Sequence, residues 1–278
     1  MPAPQATLFK QAARLKFTSF NLKVPQNWKQ PQGEDADHFS QAFKPEEKTS
    51  SPGMPPLFQP ASLNKYHTDA QKMHIAKIGG FIDKTCDAIC GAWSNWQSMA
   101  SMAGIVINAV TAVGGQIVGP PWAPLIIKDG AKATPAEMKY TNVIANVLGT
   151  AWLAYTATIK VPGLPFYPAF AMFPSPVAPP TPNVPFPIIA MTQVPASLAP
   201  PVLKSQMVAL LADPRAPFHA ELFEAVIDAF DKMFKVWQAS TMVTQVMGTG
   251  PVPTFAPPYV PAGPVLGGVG TMPPGGLK

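Results

Sequence analysis

Charge is scarce in this sequence. Only 13% of its 278 residues are Asp, Glu, Lys or Arg, about half the usual share of roughly 25%. The shortage is also concentrated. No Asp, Glu, Lys, Arg or His occurs in 91–127, 140–159, 161–203 or 236–277, and these four blocks make up just over half the chain. A free monomer normally carries charge at roughly a quarter or more of its surface positions. Half of this chain lacks that protection, so its uncharged blocks are expected to be covered by protein or by lipid. The remaining charge gathers at one end: more than half of the basic and of the acidic residues precede Ala88.

Other absences narrow the function. There is no GxxxxGK[ST], no GxGxxG, no GxSxG and no HExxH, so phosphate-cradling loops, nucleophile elbows and zinc-protease helices have no sequence basis. His38, His67, His74 and His219 are scattered, and ionisable groups are rare beyond the N-terminal third. No enzyme activity, cofactor or small-molecule substrate is expected. The net charge of +5 is modest. With no Lys/Arg run and no basic residues interleaved with aromatics, nucleic acid is not an expected partner either. The only two cysteines, Cys86 and Cys90, lie four apart in a helical pattern. That spacing puts both on one helix face, where their geometry suits a disulfide poorly, so two buried thiols and no metal site are expected. The first residues, MPAPQATLFKQAARLKF, lack an apolar core segment with a cleavage site and are not expected to act as a secretory signal peptide.

Proline and glycine, by contrast, are plentiful at 36 and 20 residues, about a fifth of the chain where roughly 12% is usual. Prolines divide the chain into five stretches. Residues 1–70 read as an extended polar arm, apart from a short helix near Gln5–Phe17. Residues 71–160 read as a helical region of two long helices. The first follows the apolar stripe Met73, Ile75, Ile78, Ile82, Cys86, Ile89 and Trp93. The second starts at Thr134-Pro135 with Glu137 completing a capping box. Residues 161–203 form a strap too rich in proline for a helix or a central strand and too aromatic for a flexible linker. Residues 204–247 read as C-terminal helices, and 248–278 as a Pro/Gly-rich tail. The predicted fold is mainly α: about three long helices joined by long Pro/Gly-rich irregular segments, with little β-sheet.

Asp87-Ala88-Ile89 to Trp96-Gln97 and Asp228-Ala229-Phe230 to Trp237-Gln238 share a plan, with Trp93 and Phe234 three residues before the Trp. Trp152 sits in a related pattern, W-x-A-x-T, shared with Trp237. Trp96, Trp152 and Trp237 are therefore expected to be packing anchors. The strap and tail aromatics Phe166, Tyr167, Phe170, Phe173, Phe255 and Tyr259 are expected to be packing or interface anchors.

The strap FYPAFAMFPSPVAPPTPNVPFP and the tail piece GPVPTFAPPYVPAGPVLGG resemble segments of structural proteins of phages and phage-tail-like contractile injection particles. The resemblance implies a virion or other assembled particle, with repeated copies packed by symmetry and straps and arm reaching across neighbours. The expected function is that of a non-enzymatic structural subunit, with other subunits and copies of itself as partners. An integral membrane protein with a helical hairpin at 99–118 and 140–159 is the alternative, since each segment is about long enough to cross a bilayer. An adaptor presenting polyproline ligands is disfavoured, because no basic residue accompanies the PxxP segments.

Overall fold

A computed structural model of the chain describes residues 3–22, 60–213, 216–255 and 262–278. The chain divides into two units: Asn21–Gly80, and Met1–Phe20 together with Phe81–Lys278. The described part of the smaller unit is chiefly the N-terminal half of one long helix.

In chain order, the helices and strands are α1 (Ala6–Ser19), α2 (Pro60–Met99), β1 (Ser101–Asn108), β2 (Thr111–Val118), α3 (Trp122–Asp129), α4 (Pro135–Thr158), β3 (Val161–Pro165), β4 (Val177–Pro182), β5 (Phe186–Pro187), α5 (Pro200–Leu211), α6 (His219–Ser240), β6 (Met242–Val243), β7 (Met247–Pro251) and β8 (Leu266–Met272). Short 3-10 turns punctuate the segment between β3 and α5. Six strands form one sheet in the order β3-β2-β1-β8-β7-β4, with every neighbouring pair antiparallel. The expectation of a mainly α chain with three long helices and little sheet is thereby overturned: this is an α/β protein with six described helices and a six-stranded antiparallel sheet.

The error arose at 99–118. Its neutrality and length read as a helix, yet the segment is the β1–β2 hairpin, paired from Ser101↔Val118 to Asn108↔Thr111. Ile105, Val106, Ile107, Val110, Thr111, Val113, Ile117 and Val118 are β-branched, which favours the pleated conformation. Gly114 and Gly115 adopt positive φ (81° and 84°), a geometry that a helix cannot contain. At the hairpin tip, Ala109 holds φ 53°, and neighbouring chain secures it: Ala109 N donates to Val265 O at 2.6 Å, and Val110 O accepts from Phe166 N at 2.7 Å. The first span of the expected membrane hairpin is therefore not a helix. Among the described residues no helix is long and apolar enough to cross a membrane.

The proline-rich strap and tail also join the sheet. The strap supplies both edge strands, VPGLP and VAPPTP, where missing N–H groups cost no ladder bond. The tail from Gly248 supplies most of β7 and all of β8, both interior strands of the sheet. Neither segment is a free strap.

Local signals account for several helices. At α4, Thr134 Oγ1 accepts from Glu137 N at 3.1 Å, while Glu137 Oε2 accepts from Ala133 N at 2.8 Å. This capping box reaches back one residue further than the usual reciprocal pair. In the larger unit, α1 is anchored rather than extended: Phe9 and Ala13 are fully buried. Arg14 makes a two-pronged contact to Asp83, at 2.7 and 2.6 Å. Helix α6 ends at Ser240, earlier than its neutral sequence implied, because Thr241 turns extended and Met242 pairs with Lys278.

One continuous core fills the larger unit, and its densest part is aromatic. Trp93 lies 5.4 Å from Trp122, 5.1 Å from Trp152, 5.3 Å from Trp237 and 5.5 Å from Phe230, centroid to centroid. Trp122 and Trp152 stack at 3.9 Å. Such pairs add about 0.5–1.5 kcal/mol each beyond burial of their area. The two D-A…W-Q segments meet here, where Trp237 Nε1 donates to Gln97 Oε1 at 2.9 Å. Gln97 Nε2 in turn donates to Leu277 O at 3.3 Å, drawing the chain end into the core.

Candidate functional site

Three places in the larger unit have the makings of a site: the buried thiols, a cleft beside the tryptophan cluster, and the outer face of the sheet.

The thiols are the least reactive. Cys86 and Cys90 are buried and free. Burial pushes the Cys90 thiol up to about 12, and Cys86 is raised too, first by burial and then by the neighbouring thiol. Since the thiolate is the reactive form, both are inert at neutral pH. Among the described residues no group of three or more His, Cys, Asp or Glu is placed to hold a metal ion.

The cleft lies beside the end of β2, the start of α3 and the middle of α4, and has a volume of about 290 Å³. Trp96, Trp122, Trp152, Gln116, Asn146 and Thr150 are among its lining residues, and none of the lining residues is charged. With no titratable group it has no acid or base to offer. Its volume is also at the bottom of the roughly 300–1,000 Å³ range of small-molecule sites.

The outer sheet face is larger and more distinctive. Side chains alternate along each strand, so one face of the sheet joins the core and the other does not. Met102, Ile105, Ile107, Ala112, Ile117 and Met272 point to the core and are buried. The opposite face carries Val106 (44% exposed), Val113 (45%), Val118 (58%), Val177 (56%) and Val269 (57%). Cross-strand register links them: Val113 pairs with Pro162 on one side and Val106 on the other, Val106 pairs with Val269, and Val269 pairs with Thr249. The result is an unbroken uncharged row across five strands. None of the six strands contains a charged residue.

The core face owes its close fit to glycine. A Cβ on Gly248 would lie 2.7 Å from the Ile107 side chain and from the Tyr167 ring, and one on Gly270 would lie 3.2 Å from Tyr167 Oη. Tyr167 lies against these glycines, stacks on Phe170 at 4.9 Å and donates to Val246 O at 2.8 Å. Burial raises its phenol above the usual value.

Trp96, Trp152, Trp237, Phe166, Tyr167 and Phe170 are all buried within the chain's own core, and Phe173 and Phe255 are partly buried against it. Six of these anchors are thus packing residues and are not available to a partner. Tyr259 and most of the expected arm lie outside the described residues. The outer-face valines were not singled out from sequence. The signal that could have found them is the β-branched run Ile105-Val106-Ile107 together with Val113, Ile117 and Val118 flanking the glycine pair Gly114-Gly115, read as strand rather than as helix.

No family model matches the chain, and no curated protein or solved structure matches it either.

Proposed function

We propose that this chain is a non-enzymatic structural subunit of a multi-protein particle, joined to its neighbours through the outer face of its sheet. One observation carries the reading: a six-stranded sheet turns outward a wholly uncharged face, on which half-exposed valines stand among neutral polar residues such as Asn108, Gln116 and Thr271. An exposed apolar surface of this kind marks an interaction site in a folded protein. The sheet edges direct the contact to the face. Pro162 and Pro165 in β3 and Pro179, Pro180 and Pro182 in β4 lack N–H donors, so both edges are poor templates for a neighbouring strand. The uncharged lining of the cleft beside the tryptophan cluster supports a binding role over a chemical one.

The test is to isolate the full chain under native conditions from the cells that make it, and to compare its sedimentation with that of a Val106→Lys/Val269→Lys variant. The wild type is expected in large particles with a fixed set of partner subunits, and the variant in slowly sedimenting material. Wild-type chain recovered as a solitary species would overturn the proposal.

A further inference from the structure

We infer that the occupant of the outer sheet face is a second copy of this chain, stacked face to face across a two-fold axis. This inference rests on the assembly reading above and names the first partner in it.

Self-pairing follows from three features of the face. The first is its neutrality. A two-fold interface sets each residue against residues of the same patch, so any charge near the axis would meet its own kind. With no charged residue in any of the six strands, no such repulsion arises. The second is the blunting of both edges by proline, which disfavours joining two sheets edge to edge and favours stacking at about 10 Å. The third is area. Six strands spaced about 4.8 Å apart, each with about 20 Å of outward-facing length, present about 600 Å². Two copies would bury about 1,200 Å², the lower bound of a specific, stable interface. The row Val113–Val106–Val269 lies in the middle of this area, on the three central and near-central strands β2, β1 and β8. It is the row that an axis through the face would bring against itself.

The experiment uses purified full chain in analytical ultracentrifugation. The expected species has twice the 29.6 kDa chain mass, with a dissociation constant that changes less than about 3-fold between low and high salt, since no charge pairs cross the interface. Val106→Lys is expected to weaken pairing by about 100-fold or more, through like charges set opposite one another. Mixing Val106→Lys with Val106→Glu is expected to restore a mixed pair that neither variant forms alone. Circular dichroism and thermal melting of each variant verify that it folds, as a half-exposed position allows. A wild-type dimer that persists in Val106→Lys would place the contact elsewhere and overturn the inference. So would a folded wild-type monomer at every concentration. If that monomer is nevertheless found within native particles, self-pairing fails and the assembly reading stands. If the chain is solitary in both settings, both fail.

Discussion

The two faces of the six-stranded sheet are made from the same strands and from equally uncharged residues, yet they have opposite fates. The inner face alternates isoleucine and methionine with glycines at 248, 250, 268 and 270; Gly248 and Gly270 let Tyr167 settle close to the backbone, and Gly250 and Gly268 leave room for Val265. The outer face carries valines at the corresponding outward positions and stays open. Lack of charge therefore does not by itself say what covers a segment. Much of this chain's neutral sequence is covered by the chain itself, and among its exposed apolar side chains the sheet-face valines are the ones that cross-strand pairing gathers into a row.

The strongest way to break the comparison is to damage the covered side. Trp152→Ala removes the ring stacked on Trp122, and a loss of about 3–5 kcal/mol is expected in chemical denaturation. A loss below about 1 kcal/mol would mean that the cluster is not the stabilising centre of the core. A smaller effect is expected from Gly248→Val. Its new side chain would collide with Ile107 and Tyr167, at a cost of about 1–3 kcal/mol. The matched outward change, Val269→Thr, is expected to shift monomer stability by no more than about 0.5 kcal/mol. Equal costs for the two would erase the distinction between the faces.

The smallest effect concerns Glu224 on α6, which accepts from Lys204 at 2.6 Å and Lys16 at 3.0 Å and so ties α5 and α1 to α6. Hydrogen bonds from Lys204 and then Lys16 hold its carboxyl below the usual value. A depressed folded value means that the contribution is fully present above the unfolded carboxylate range. It is lost as pH falls through the lower folded value. Because the group is a third exposed, solvent screening limits the effect to under about 1 kcal/mol. Glu224→Gln should flatten the acid limb of the stability profile by that amount, as read by urea midpoints across the acid range, and leave sheet-face pairing unchanged.

Much of the helical part was legible in the residues. Thr134-Pro135 with Glu137 predicts the start of α4 where it lies; of the predicted stripe on α2, Ile82, Cys86, Ile89 and Trp93 are buried, while Met73, Ile75 and Ile78 are exposed. Trp96, Trp152 and Trp237 are buried, and the two repeated Trp-Gln pairs meet through Trp237 and Gln97. The sheet was not legible, because strands β3, β4, β7 and β8 are built from proline and glycine, which carry no strand propensity. Their pairing comes from partners far away in sequence, as when β1 meets β8 through Val106 and Val269. The candidate site was missed with the sheet, since a face exists only once its strands are aligned.

The sequence by itself determined that most of the long neutral stretches are hidden from water, that Trp96, Trp152 and Trp237 are core residues, and where α4 begins, because burial and capping are local consequences of residue type. Only the tertiary structure decided that 101–118 is a hairpin, that strap and tail close a sheet, and that one valine face remains open. A short apolar run can be buried as helix or as strand, and long-range pairing chooses between them.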